Sequence, residues 1–161
     1  MPYRILILAL LYLLAGVDAP AEPPIHRISD IVYKQTPGGD LHLDLYYPEA
    51  EPTGKYPVVI YTHGGGWAAG SKNKALAGSR MSLVVRGLTE NGFCVAAVNY
   101  RLCNKERGTT IRDCVVDAKD AIRFLSKNSN EYFVDTERVF TFGDSAGGQL
   151  AQMLLLAPPD L

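Results

Sequence analysis

The sequence predicts an α/β fold, a mixed but mostly parallel sheet with helices on both faces. Two alternating stretches near the start read as an antiparallel pair. Three continuous apolar runs follow, PVVIYTH (57–63), FCVAAVNY (93–100) and RVFTFG (138–143), each of the kind seen in strands buried on both faces. Segments with helical spacing lie between and after these runs, the order expected of α/β units with right-handed crossovers.

Residues 28–34 and 41–47 are the expected first two strands, the second alternating strictly as LHLDLYY, with TPGGD between them supplying glycines for a hairpin turn. The stretch 79–91 is compatible with a helix closing at Gly92. From Thr110, the residues Ile111, Cys114, Val115, Ala118, Ala121, Ile122 and Leu125 recur at i, i+3, i+4 and i+7, predicting an amphipathic helix to about Lys127. Asp135 is expected to cap a short turn in DTER. A last helix is expected over 146–156, stopped by Pro158 and Pro159.

At 161 residues the chain is long enough for one domain with its own core, and 47% apolar against 20% charged residues argues against disorder. Net charge is −1 without a basic run, so nothing calls for nucleic acid. MPYR and the apolar run 5–15 precede Ala19-Pro20-Ala21, the layout of a secretory signal peptide with an A-x-A cut. That run is shorter than the ~20 residues needed to span a bilayer. The expected organisation is therefore a signal peptide, 1–21, then an exported domain, 22–161, with no stable membrane span once the signal is removed; an uncleaved anchor is the alternative.

Of three cysteines, Cys94 sits in an apolar run and reads as a small buried hydrophobe. Cys103 and Cys114 flank a polar loop; export permits a disulfide between them, and a free Cys114 on a helix face fits equally. No CxxC is present and the histidines are scattered, so no metal site is expected.

Two glycine motifs carry chemistry. GDSAG, 143–147, fits G-x-S-x-G between an apolar strand and a helix. By itself the pattern is weak, and a phosphate-type turn or a plain tight bend is the alternative. A strand-to-helix turn this tight holds Ser145 in a strained conformation with its hydroxyl exposed, and the helix N-terminus favours developing negative charge. HGGGW, 63–67, follows another apolar strand, and its successive glycines let backbone amides converge on one point. A flexible loop is the alternative there, but two such motifs in this order weigh against coincidence.

HGGGW, NYRL (99–102) and GDSAGG together resemble the α/β-hydrolase esterases, in the hormone-sensitive-lipase-like, acetyl-esterase or feruloyl-esterase-like branch. The resemblance runs from Ile28 to Leu156 and includes the opening DIVYKQTPGGDLHLDLYYP. It implies a three-layer α/β-hydrolase sandwich and a serine carboxylesterase or lipase-like activity through an acyl-enzyme, with no cofactor and with a small-molecule or carbohydrate-linked ester as partner. Ser145 matches the nucleophile; Gly65, Gly66 and the amide of Ala146 match the oxyanion donors; His63 matches the histidine that supports the loop and is not the base. A prolyl-oligopeptidase-like peptidase and a non-catalytic hydrolase-like binding protein are the rival readings. Trp67 either lines the alcohol side or packs the loop, and Tyr100 and Arg101 are expected to brace the strand end.

The family order is serine, then Asp or Glu, then histidine. His26, His42 and His63 all precede Ser145, and the stretch after Ser145 offers only Asp160 as a carboxylate side chain and no histidine. His26 and His42 read as solvated or partly packed, with His42 placed far from the C-terminal edge of the sheet. Asp113 and Asp117 are expected on or near the polar face of the long helix, Asp144 is the x of the elbow motif, and none of the three is expected to serve as a triad acid. The acid and base are thus missing, and a fragment ending just after the elbow helix, inactive alone, is expected. The elbow strand, central in this fold, would then be left with an apolar edge.

Overall fold

The computed structural model describes residues 25–48, 52–76 and 79–158. The expected signal peptide, 1–21, and Asp160 lie outside the described residues. Strands β1 (His26–Thr36) and β2 (Gly39–Tyr47) form the expected hairpin, each longer than its sequence signal. Pro37 and Gly38 form the turn, which Gly39 leaves at φ 118°, a conformation open to glycine.

β3 (Tyr56–Thr62), β4 (Cys94–Val98) and β5 (Val134–Gly143) complete a five-stranded sheet of order β1-β2-β4-β3-β5. β2 is antiparallel to β1 and β4, whereas β3 runs parallel to both β4 and β5. Helix α1 (Ser79–Glu90) follows a short 3₁₀ turn at Lys72–Ala75; α2 spans Ile111–Lys127 and α3 Ala146–Leu156.

Side chains alternate across the central strands, so each face builds its own core. Val58 and Ile60 of β3 pack with Ala96 and Val98 against Ala118, Ala121 and Leu125 of α2 and Leu154 of α3. Val59 and Tyr61 pack with Val95 and Ala97 against Val85, Met81 and Leu88 of α1. The expected three layers are present. Asp113 begins α2 by accepting the Thr110 amide at 2.8 Å and hydroxyl at 2.9 Å.

Four expectations need correction. Asp117 is not on a solvated face: it is fully buried and binds Lys34 and Arg101. His42 does not lie far from the C-terminal edge; β2 is antiparallel to β4, so its carbonyl meets the Asn99 amide just past the end of β4. Asp135 caps no separate turn before the strand. It lies within β5 and accepts the Glu137 amide beside a ladder irregularity at Pro57 and Val58. Finally, β5 is only half buried. Among the described residues it pairs with β3 alone, and Phe140 on it is 49% exposed.

Candidate active site

β3 and β5 are parallel and in register to their ends, where Thr62 pairs with Gly143. Both glycine motifs begin at that level, HGGGW after β3 and GDSAG at the end of β5. Ser145 is exposed and sits at φ 52° and ψ −121°, the strained corner from which α3 departs. The Gly147 amide donates to the Asp144 carbonyl at 2.8 Å, closing the bend.

Two glycines allow the bend to sit so close to β3. A Cβ on Gly147 would collide with the carbonyl oxygens of Thr62 and His63, and one on Gly143 with the Gly147 backbone and the Thr62 carbonyl. The Thr62 hydroxyl donates to the Gly147 carbonyl at 2.8 Å, binding strand to elbow.

The glycine loop is folded by its own backbone. The Gly65 carbonyl accepts the amides of Ala68 and Ala69, and Gly65 and Gly66 take φ 139° and 60°. A Cβ on Gly65 would strike the Ala69 carbonyl, so this position requires glycine twice over. Ala146, as the first residue of α3, has an amide with no intrahelical acceptor.

His63 is buried at 1% exposure and stacks on Tyr100 with ring centroids 4.3 Å apart. Its Nδ1 lies 3.1 Å from the Gly64 carbonyl; since that oxygen only accepts, Nδ1 carries the proton. The Tyr100 hydroxyl donates to the His63 carbonyl at 2.5 Å. Burial holds the imidazole below its ordinary pKa, and the Gly64 carbonyl opposes that only in part. His63 is therefore a neutral brace inside the loop. Tyr100 and Arg101 brace as expected, Arg101 by bonds to Asp117 from its amide, Nε and Nη2 at 2.7–3.0 Å. Trp67, at φ 60°, packs with Tyr100, Val115 and Leu150.

Asp144, read from the sequence only as the x of the elbow and not as a triad acid, ties the two motifs together. Its Oδ1 accepts the Tyr61 hydroxyl at 2.8 Å and the Gly64 amide at 2.9 Å, joining the elbow to the glycine loop. The x of G-x-S-x-G admits any residue, so the pattern gave no hint of this role.

His26 and His42 stand apart from this centre. His26 packs on Tyr47 at the opposite end of the sheet. His42, on β2, is three strand spacings from β5, roughly 14 Å. An open cleft of about 840 Å³ adjoins the glycine loop, bounded by the β1–β2 turn, Ala68, Tyr100, Cys103 and Arg107.

The BD-FAE family profile matches residues 43–158. A probable isoprenylcysteine alpha-carbonyl methylesterase of Oryza sativa subsp. japonica is 39% identical over 126 residues, 78% of this chain and 27% of that protein. An ethyl acetate hydrolase of Pseudomonas putida is 34% identical over 128 residues, 79% and 38% of the two chains. Among solved structures, esterase Est2 of Thermogutta terrifontis superposes with a TM-score of 0.66 at 29% identity, covering 87% of this chain and 49% of that one. The same esterase phosphoramylated by tabun superposes at 0.67 with 28% identity, over 84% and 49%. The chain thus spans 27% and 38% of the lengths of these two curated relatives. With a match of that extent over a sheet, elbow and glycine loop of this form, the chain belongs to the BD-FAE family of α/β-hydrolases.

Proposed function

We propose that the protein is a serine carboxylesterase that cleaves small-molecule or carbohydrate-linked acyl esters through an acyl-enzyme. Ser145 attacks the ester carbonyl, and the amides of Gly65, Gly66 and Ala146 receive the oxyanion. His63 holds the loop that carries the two glycine amides. The base is a histidine oriented by a carboxylate, both outside these 161 residues, since His26, His42 and His63 are remote or buried. The reading rests on Ser145 itself. A non-glycine residue at φ 52° costs about 1–3 kcal/mol, and Ser145 is exposed at that corner while its neighbour Asp144 holds the Gly64 amide, which supports a hydroxyl offered to the glycine loop. An ethyl acetate hydrolase among the relatives, and an esterase neighbour that tabun phosphoramylates, support the same chemistry.

Full-length protein should turn over p-nitrophenyl acetate and label with a fluorophosphonate, and Ser145→Ala should abolish both. Labelling at another serine, or turnover undiminished in Ser145→Ala, refutes the assignment. We further propose export, supported by the apolar leader; the mature N-terminus should then map near Glu22.

A further inference from the structure

We propose that Cys103 and Cys114 form a thiol–disulfide exchange site, whose closure staples the loop after β4 to the first turns of α2. Both thiols are free, and their Sγ atoms lie 3.7 Å apart. Bond formation therefore needs an approach of only about 1.7 Å to reach the usual S–S length. The loop between them is already pinched. Asn104 and Thr109 exchange backbone hydrogen bonds at 3.1 and 3.0 Å, holding the two cysteines near its neck. Cys114 is buried with its Sγ 3.1 Å from the Arg101 carbonyl, whereas Cys103 lines the open cleft and is within reach of a small disulfide from solvent.

The site touches the glycine loop directly, because the Cys103 amide donates to the Trp67 carbonyl at 2.8 Å. Closure would hold that contact from behind. The chemistry requires an oxidant of the low-molecular-weight disulfide class. Cys103 loses its proton and attacks one sulfur of the disulfide, releasing the first thiolate. Cys114 then loses its proton and attacks the Cys103 sulfur, releasing the second. Two protein thiols become one disulfide, the oxidant is reduced to two thiols, and the two protons end on them. Burial pushes the Cys114 thiol up to about 12, so ring closure accelerates as pH rises. None of this depends on the esterase reading.

The test is incubation of the native full chain with glutathione disulfide, then alkylation and tryptic digestion without reduction. Lys105 and Arg107 are exposed in the intervening loop, so cleavage there leaves Leu102–Lys105 joined to Asp113–Lys119 only if the bond has formed. We expect that linked pair, with the mass loss of two hydrogens, and its disappearance on reduction. Cys114→Ser should instead retain glutathione on Cys103. Three results overturn the proposal: both cysteines recovered alkylated, glutathione left on Cys103 of the wild type, or Cys94 found in the linkage.

Discussion

The Asp144 carboxylate accepts the Gly64 amide at 2.9 Å, so the residue before Ser145 holds the first amide of the glycine loop. The same oxygen accepts the Tyr61 hydroxyl from inside β3. A Cβ on Gly64 would collide with the carboxylate and carbonyl oxygens of Asp144, so the two segments are locked at contact distance.

Asp144→Ala strands two donors, each costing about 1–3 kcal/mol if left unpaired. Small displacements of catalytic groups lower rates steeply, so the p-nitrophenyl acetate turnover proposed for the full-length protein should fall about 10- to 100-fold, mainly in kcat. Tyr61→Phe removes only one hydrogen bond and should cost about 1 kcal/mol of stability with a smaller rate effect. Steady-state kinetics and thermal melting of the two variants check this ranking.

The glycines of the two motifs should respond to different degrees. Gly147→Ala meets the carbonyls of Thr62 and His63, which are backbone and cannot swing aside, so a loss of at least about 3 kcal/mol or failure to fold is expected. Gly66→Ala meets no atom within contact range and bears only the left-handed backbone, about 1–2 kcal/mol. Urea midpoints of the two variants, compared with wild type, measure the difference.

Acid should weaken the fold before the carboxylates titrate. Burial lowers the pKa of His63 from its ordinary 6.5, so below that value the unfolded chain binds the proton more readily than the native one. Stability present above pH 6.5 is then lost as pH falls towards the native-state pKa, with a slope of up to about 1.4 kcal/mol per pH unit. The Asp113 carboxyl, held below its ordinary 3.8 by the Thr110 amide and hydroxyl, contributes its own loss only at lower pH. Replacing His63 by Gln should flatten the upper part of the urea-midpoint profile and leave the lower part.

Asp117 should prove costly to remove. It is fully buried between Lys34 and Arg101, whose side chains are 23% and 29% exposed. Asp117→Ala takes the buried carboxylate from both cations, leaving Lys34 with Asp120 and Arg101 with Asp113, and strands the Arg101 amide, for which about 1–3 kcal/mol is expected. Chemical unfolding with an unchanged m-value would identify the loss as native-state destabilisation.

Some of this was legible from spacing and some was not. The elbow and the glycine loop announce themselves because their chemistry is local: a few adjacent glycines fix the backbone. The long helix and the buried strands declare their periods in the same way. Asp117 and Asp144 do not, because their partners lie elsewhere in the chain, at Lys34 and Arg101 and at Tyr61 and Gly64. Asp44 was missed for the same reason; an ordinary member of an alternating strand, it is buried and holds Arg27 and Lys72 at 2.7 and 2.8 Å. His42 was misplaced because a strand's direction relative to its neighbour is not written in the strand.

The pairing of Thr62 with Gly143 has one more consequence. Both loops hang from neighbouring rungs of a single ladder, and the sheet serves as the ruler that sets their heights. A slip of one rung would displace serine and glycines by about 3.3 Å and turn every β5 side chain to the wrong face. No partly aligned version retains the geometry, so the placement of the serine against the glycine loop should appear during folding all at once, when β5 locks onto β3.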